Sequence, residues 1–136
     1  MFVVKTRLAP SQIHGLGTFA DEFIPQGSTI WVFHPGFDLE FSPDDLEGLP
    51  SFTRERIMHF AYVSLRTGKG MLCADDARFM NHSCCPNTMD GTDPNGYQAT
   101  IATKDIQVGE EITCDYYEFD ADASRKLRGI PTARAG

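Results

Sequence analysis

Three separated stretches of this 136-residue chain carry residue types that chemistry uses. The first is Gly15-Leu16-Gly17-Thr18-Phe19-Ala20. The second is Arg78-Phe79-Met80-Asn81-His82-Ser83-Cys84-Cys85-Pro86-Asn87. The third is Gly109-Glu110-Glu111-Ile112-Thr113-Cys114-Asp115-Tyr116. Two glycines one residue apart let a backbone approach a partner that a Cβ would hold off. A Gly-x-Gly also opens the dinucleotide fingerprint. Here position 20 is alanine and the residues that follow read as strand rather than helix, so a Rossmann site is poorly supported. Asn81, His82 and Tyr116 offer an amide, an imidazole and a phenol. Taken singly, each stretch also has a plain structural reading. The glycines make a tight turn, Asn81-His82-Ser83 a polar turn, Val108-Gly109-Glu110-Glu111 a hairpin turn, and Tyr116 a core aromatic. Asn81-His82-Ser83 matches a glycosylation sequon, which matters only in an exported chain.

The elements that must hold these stretches are short. Phe2 to Leu8, Thr18 to Phe23, Ser28 to Phe33 and Tyr97 to Thr103 read as strands, and Ile112 to Cys114 as a shorter one. Ser42-Pro43-Asp44-Asp45 opens a helix that Gly48 and Pro50 stop. A second helix starts near Ser51 or Thr53 and carries Ile57, Phe60, Ala61 and Leu65 at helical steps until Gly68-Lys69-Gly70. Met71 to Asn95 reads as irregular. Asp120 is placed to cap a terminal helix, Ala121 to Arg128, ended by Gly129 and Pro131, with Ile130 to Gly136 a loose tail. The 12 glycines and 8 prolines argue against a helix bundle, and no βαβ rhythm is present. The expected class is mainly β, a β-rich α+β domain.

The net charge of −7 disfavours direct nucleic-acid binding and favours a basic partner such as a lysine-rich peptide. No stretch approaches the roughly 20 apolar residues of a membrane span, so no membrane role is expected. Cysteines stand at 73, 84, 85 and 114 without Cys-x-x-Cys spacing. A disulfide scaffold is therefore not expected, and a reducing, cytoplasmic compartment fits. Trp31 and Phe33 read as strand core. The acids Asp38, Glu40, Asp44, Asp45 and Glu47 read as solvated surface, or as an attraction for a basic segment.

In combination and in this order, the three stretches resemble the SET-domain family of protein lysine methyltransferases. The matching patterns are an early Gly-x-Gly, then Arg-Phe-x-Asn-His-Ser-Cys-x-Pro-Asn, then Gly-Glu-Glu-Ile-Thr-x-Asp-Tyr. The resemblance implies a SET domain over 2–117, built of several short sheets with a small helical insertion and a C-terminal pseudoknot in which the second and third stretches cross. It implies S-adenosyl-L-methionine as cofactor, held by Gly15, Leu16, Gly17, Arg78, Phe79, Asn81 and His82. Tyr116 is then the catalytic tyrosine, and a lysine-bearing protein or peptide is the partner. The reaction is one in-line methyl transfer to a neutral amine. Deprotonating lysine, with a free pKa of about 10.4, costs about 4 kcal/mol near pH 7.4. An apolar channel and an adjacent sulfonium lower that cost.

Two departures from the family bear on the site. No cysteine follows Cys114, so the zinc cluster that many members carry after the tyrosine, and its usual metal, are not expected. A single site of all four cysteines is the remaining zinc reading. With the cluster missing, residues 118–136 are expected to complete the substrate channel, with Phe119 near the cofactor and the terminal helix as a lid. Cys114 stands where the family often has Phe or Tyr. A substrate channel of Cys114, Tyr116 and Phe119 is then wide enough for more than one methylation. The competing reading is a catalytically inactive SET-like adaptor that binds cofactor or a basic peptide. Homodimer formation is compatible with either.

Overall fold

The computed structural model describes residues 1–130; the greater part of the expected tail, residues 131–136, lies outside the described residues. The chain forms β1 (Thr6–Pro10), β2 (Leu16–Ala20), β3 (Thr29–Val32) and β4 (Leu39–Phe41). Helix α1 (Ser51–Phe60) follows, then β5 (Tyr62–Val63), β6 (Gly70–Leu72), β7 (Asn81–His82), β8 (Thr88–Thr92), β9 (Gln98–Ala102) and β10 (Thr113–Cys114). A single turn of helix, α2 (Ala123–Lys126), comes last. The strands pair as four small sheets, ordered β1-β2, β10-β7, β3-β9-β8 and β4-β6-β5. This is the mainly β class with few helices that was expected.

Among the described residues only β7 and β10 pair in parallel, with Asn81 opposite Thr113 and His82 opposite Cys114. That pair joins the second chemistry-bearing stretch to the third. The third stretch also bonds to the first: Ala20 N–H donates to the Glu110 carbonyl at 2.9 Å, and Ile112 N–H to the Thr18 carbonyl at 2.8 Å. Residues 110–114 therefore run between β2 on one side and residues 81–88 on the other. Where strand pairing is too short to satisfy this buried backbone, Asn87 substitutes for a strand. Its Oδ1 accepts from Thr113 N–H at 2.9 Å and its Nδ2 donates to the Glu111 carbonyl at 2.8 Å. Thr88 Oγ1 donates to the Thr113 carbonyl at 2.7 Å.

Two apolar clusters flank this crossing. One gathers Ile24, Ile30, Ile106 and Ile112, all fully buried, with Met80 and Cys114. The other gathers Trp31, Phe33, Tyr62, Met71 and Cys73. Phe2 and Phe119 touch both and join them. Each buried isoleucine contributes roughly 1.5–3 kcal/mol relative to exposure.

Several elements depart from the sequence expectations. The second helix ends at Phe60, not near Leu65. Ala61 turns extended (φ −82°, ψ 158°), and Tyr62 and Val63 pair with Met71 and Gly70. Sheet pairing that buries Ala61 and Tyr62 outweighs the helical spacing, and Leu65 is left exposed. The irregular stretch Met71–Asn95 holds β7, β8 and part of β6, strands too short to alternate legibly. The first strand begins at Thr6, and Phe2 makes only an isolated bridge to Trp31. The second strand begins at Leu16, two residues early, because β1 pairs Pro10 with Leu16 and Ala9 with Gly17. The expected helix at Pro43 is a 3-10 turn, Pro43–Leu46. The terminal helix shrinks to four residues because Asp120, its expected cap, is buried. Its Oδ1 accepts from Val63 N–H at 3.0 Å and from Asp122 N–H at 2.9 Å, and Lys126 Nζ lies 2.9 Å from Oδ2.

Replacing Asn87 by alanine leaves the Thr113 N–H and Glu111 carbonyl without partners inside the protein. Urea unfolding of Asn87→Ala is expected to show a loss of roughly 2–6 kcal/mol, since each of the two orphaned groups costs about 1–3 kcal/mol. A midpoint equal to that of the parent chain would contradict the clamp.

Candidate active site

The crossing opens on a cavity of about 540 Å³, within the roughly 300–1,000 Å³ typical of small-molecule sites. Gly15 and Leu16 from the first stretch line it, preceded by His14, with Arg78 to Asn81 from the second and Cys114 and Tyr116 from the third. Helix α1 adds Arg56, His59 and Phe60, and the segment after Tyr117 adds Phe119 and Asp120. Of the residues singled out in the sequence, Gly15, Leu16, Arg78, Phe79, Asn81, Cys114, Tyr116 and Phe119 thus share one cavity.

Gly17 and His82 are not among the described residues that line it; they stand behind its wall. A Cβ at Gly17 would fall 2.6 Å from Glu111 Oε2 and 3.0 Å from Ser11 Cβ. The position stays glycine because a carboxylate occupies the space. That carboxylate accepts from Asn81 Nδ2 at 2.9 Å and from Ser11 Oγ at 2.6 Å. Gly15 is different. Its φ of +48° lies in the left-handed region, and nothing sits within 4 Å of where a Cβ would be. It leaves an open cradle beside the cavity. The Asn81 amide also donates to the His14 and Leu16 carbonyls, both at 3.1 Å. Asn81 thereby fixes the glycine turn from beneath.

His82 is buried, and its Nδ1 accepts the Tyr116 backbone N–H at 3.1 Å. An Nδ1 that accepts cannot also donate, so its 3.5 Å approach to Asp115 Oδ1 is not a hydrogen bond. Asp115 instead accepts the Tyr117 N–H at 3.0 Å and starts the 3-10 turn Tyr116–Glu118. The imidazole is therefore a brace for Tyr116, packed edge-on against its ring at 5.5 Å. The Tyr116 hydroxyl donates to the Met80 carbonyl at 2.6 Å. Burial pushes its pKa well above the ordinary tyrosine value, helped by Cys114, Asp120 and Glu111, so the phenol stays neutral.

Aromatic contacts set the remaining walls. Phe119 stacks edge-on between Tyr62 at 5.1 Å and Tyr116 at 6.0 Å, so it is at once core and cavity wall. Phe60 meets Phe79 at 5.6 Å, and the Arg78 guanidinium lies 5.5 Å from its centroid. Arg78 is held by the Cys73 carbonyl, which accepts from Nη2 at 2.7 Å and from Nε at 3.2 Å. Sequence reasoning missed the contribution of α1 and of Trp31, Tyr62, Asp90 and Gln98 to the cavity. Trp31 is core, as expected, and its Nε1 has no partner among the described residues. Alternation placed Gln98 on a strand face, but nothing in the spacing showed that this face meets Tyr62. Among the described residues no three His, Cys, Asp or Glu side chains are grouped as a metal site. No described helix is long and apolar enough to cross a membrane.

A sequence model of the SET domain matches residues 15–117. The chain belongs to the SET-domain family. It is 33% identical over 142 residues to a Schizosaccharomyces pombe histone-lysine N-methyltransferase specific for H3 lysine-4, covering 96% of this chain and 15% of that protein. It is 29% identical over 134 residues to the Drosophila melanogaster histone-lysine N-methyltransferase Set2, covering 88% of this chain and 5% of that protein. The chain thus spans a small part of the length of these relatives. Solved structures share the fold, two of them as follows. A Plasmodium falciparum protein described as a histone methyltransferase superposes with a TM-score of 0.60 at 21% identity, over 83% of this chain and 93% of that one. A humanized mutant of the Chaetomium thermophilum Polycomb Repressive Complex 2 superposes with a TM-score of 0.65 at 23% identity, over 90% of this chain and 16% of that one.

The buried Cys73 thiol is pushed up to about 12, first by burial and then by Asp38 and Asp75. Cys114 is raised further, again chiefly by burial. Iodoacetamide at pH 8 is therefore expected to label the exposed Cys85 while sparing Cys73 and Cys114, as peptide mass mapping would show. The unfolded thiol ionises near 9.0. The stability gained by keeping Cys73 protonated is whole below that pH and is lost as the pH climbs toward 12, so the urea midpoint falls between pH 8 and pH 10.5. Rapid alkylation of Cys73 in the folded chain would contradict this.

Proposed function

We propose that this chain is an S-adenosylmethionine-dependent protein-lysine N-methyltransferase. The observation that carries the reading is the meeting of three distant stretches on one cavity. The open turn at Gly15–Leu16, the Asn81 brace and Tyr116 all line it. The names of the curated relatives, both histone-lysine N-methyltransferases, support the same activity.

The residues present fit the donor. The cradle at Gly15 admits a ligand where a side chain would stand, and Leu16, Arg78, Phe79 and Asn81 offer apolar walls with a few polar atoms. His82 acts from behind by holding Tyr116. When bound, S-adenosylmethionine supplies an electrophilic methyl on a sulfonium. The protein must then present a neutral lysine amine with its lone pair unengaged. Tyr116 suits this because its single hydroxyl hydrogen is committed to Met80 O. Its oxygen offers lone pairs, which accept an amine N–H and do not compete for the nucleophilic pair. Phe119, Cys114 and the Tyr116 ring surround the amine with low-polarity surface and so favour its uncharged form. The net charge of −7 suits a lysine carried on a basic protein segment such as a histone-like tail.

Methyl incorporation from labelled donor into a cell lysate or into histone peptides tests the activity. Tyr116→Phe is expected to lower kcat by about a hundredfold, the scale of one positioned polar contact in a dry site. Its donor affinity by calorimetry should change little. Donor binding with no turnover on any lysine protein would instead identify an adaptor. In the active chain, log kcat/KM is expected to rise with pH from 7 to 9 as the free lysine loses its proton. No fall from Tyr116 ionisation should appear in that range, since its pKa is raised.

The thiol of Cys114 occupies less volume than an aromatic ring would. The chain is expected to transfer more than one methyl to a lysine, and Cys114→Phe to confine it to one. Mass spectrometry of product peptides reads both, and a monomethyl limit identical in both proteins would sink the idea.

A further inference from the structure

A second tyrosine faces the same cavity, and the chain controls the direction of its hydroxyl hydrogen. Tyr62, Gln98 and Asp90 all line the cavity. Asp90 on β8 and Gln98 on β9 lie diagonally across one face of the antiparallel pair, since Asp90 is opposite Thr100 and Gln98 opposite Thr92. Gln98 Nε2 is 2.8 Å from Asp90 Oδ1, and Gln98 Oε1 is 2.5 Å from the Tyr62 hydroxyl. Arg66 Nη2 donates to Asp90 Oδ2 at 2.6 Å and to the Gly91 carbonyl at 3.2 Å.

The order of hydrogens along this chain is forced. A guanidinium only donates, and a carboxylate beside it only accepts. The Gln98 atom nearest Asp90 must therefore be its NH2, which turns its carbonyl toward Tyr62. The Tyr62 hydroxyl must donate to that carbonyl, so what remains for the cavity is oxygen lone pairs. Burial reinforces this by raising the Tyr62 pKa and keeping the phenol protonated.

The geometry points to Asp90 as a positioning residue that, through Gln98, keeps the Tyr62 hydroxyl an acceptor toward the incoming lysine amine. The inference rests on the methyltransferase reading. With its hydroxyl an acceptor, Tyr62 can take an N–H of a neutral amine while the lone pair is left for the methyl carbon. A hydroxyl hydrogen aimed into the cavity would instead bind that lone pair and hold back the nucleophile.

Asp90→Asn tests this with almost no change in shape. Arg66 takes the new amide's oxygen, so its NH2 faces Gln98. Gln98 must flip, and its own NH2 then meets Tyr62, whose hydrogen turns into the cavity. Adding Arg66→Met frees the amide oxygen to face Gln98 again, which restores the parent direction. The expected kcat falls roughly tenfold in D90N, the scale of one hydrogen bond made to the wrong atom. The peptide KM should move less than about threefold, and the D90N/R66M double variant should recover most of kcat. A D90N chain as fast as the parent, or a double variant as slow as D90N, overturns the proposal.

A readout independent of activity separates this from the methyltransferase reading. In D90N, nuclear Overhauser contacts should appear between the Gln98 side-chain NH2 and the Tyr62 ring hydrogens, and they should vanish in the double variant. If they do not appear, the relay is wrong whether or not the chain transfers methyl groups. If the amide flips as expected but the parent chain methylates nothing, the relay stands as structure, its role toward an amine is refuted, and the activity reading fails with it.

Discussion

The molecule depends on burying one polar segment, residues 112–114, between two others. A chain that passes between β2 and the β7–β8 region cannot reach water, so its amides and carbonyls must be paired within the protein. Backbone partners serve part of it: Thr18 takes the Ile112 N–H, and Ser83 donates to the Cys114 carbonyl at 3.0 Å. Side chains serve the rest, chiefly Asn87 and Thr88. Ile112, fully buried, supplies the apolar contact that makes the crossing favourable. The fold can afford strands of two residues here because asparagine and threonine side chains complete the ladder.

The same crossing builds the cavity. Behind its wall lies Glu111, whose carboxylate reaches Ser11 and Asn81 and fills the space a Cβ at Gly17 would need. Asn81 carries the connection on to the carbonyls of His14 and Leu16, and so to the open turn at Gly15. On the other side of β10, His82 braces the backbone of Tyr116. A set of polar groups that are satisfied by one another in low dielectric is rigid. Rigidity at this point positions the phenol and the glycine turn relative to each other across about a hundred residues of sequence.

The C-terminal segment finishes the wall by a different device. Asp120, buried, accepts from the Val63 and Asp122 amides and faces the Lys126 ammonium, which also donates to the Ala61 carbonyl. A buried ion pair is costly to desolvate, and its backbone hydrogen bonds offset that cost. Its geometric effect is clear: it ties the segment after Tyr117 to β5 and leaves Phe119 wedged between Tyr62 and Tyr116.

The mainly β class, the family and the part of the cavity lining that the three motifs supply were legible in the chain itself. Turn glycines, β-branched runs and three ordered motifs are local signals, and local signals survive in one dimension. What only the tertiary structure decided is how far each element runs and which way each polar atom faces. The helix after Ser51 stops at Phe60 because Tyr62 gains a strand partner in β6, a contact that spacing along the chain does not encode. Gly17 reads as a glycine for ligand approach, yet it is a glycine for Glu111, nearly a hundred residues away. Hydrogen-bond direction at Tyr62 and Tyr116 depends on which acceptors the fold brings within about 3 Å. Residue types announce a capacity to donate or accept; the packing of distant segments determines how that capacity is spent.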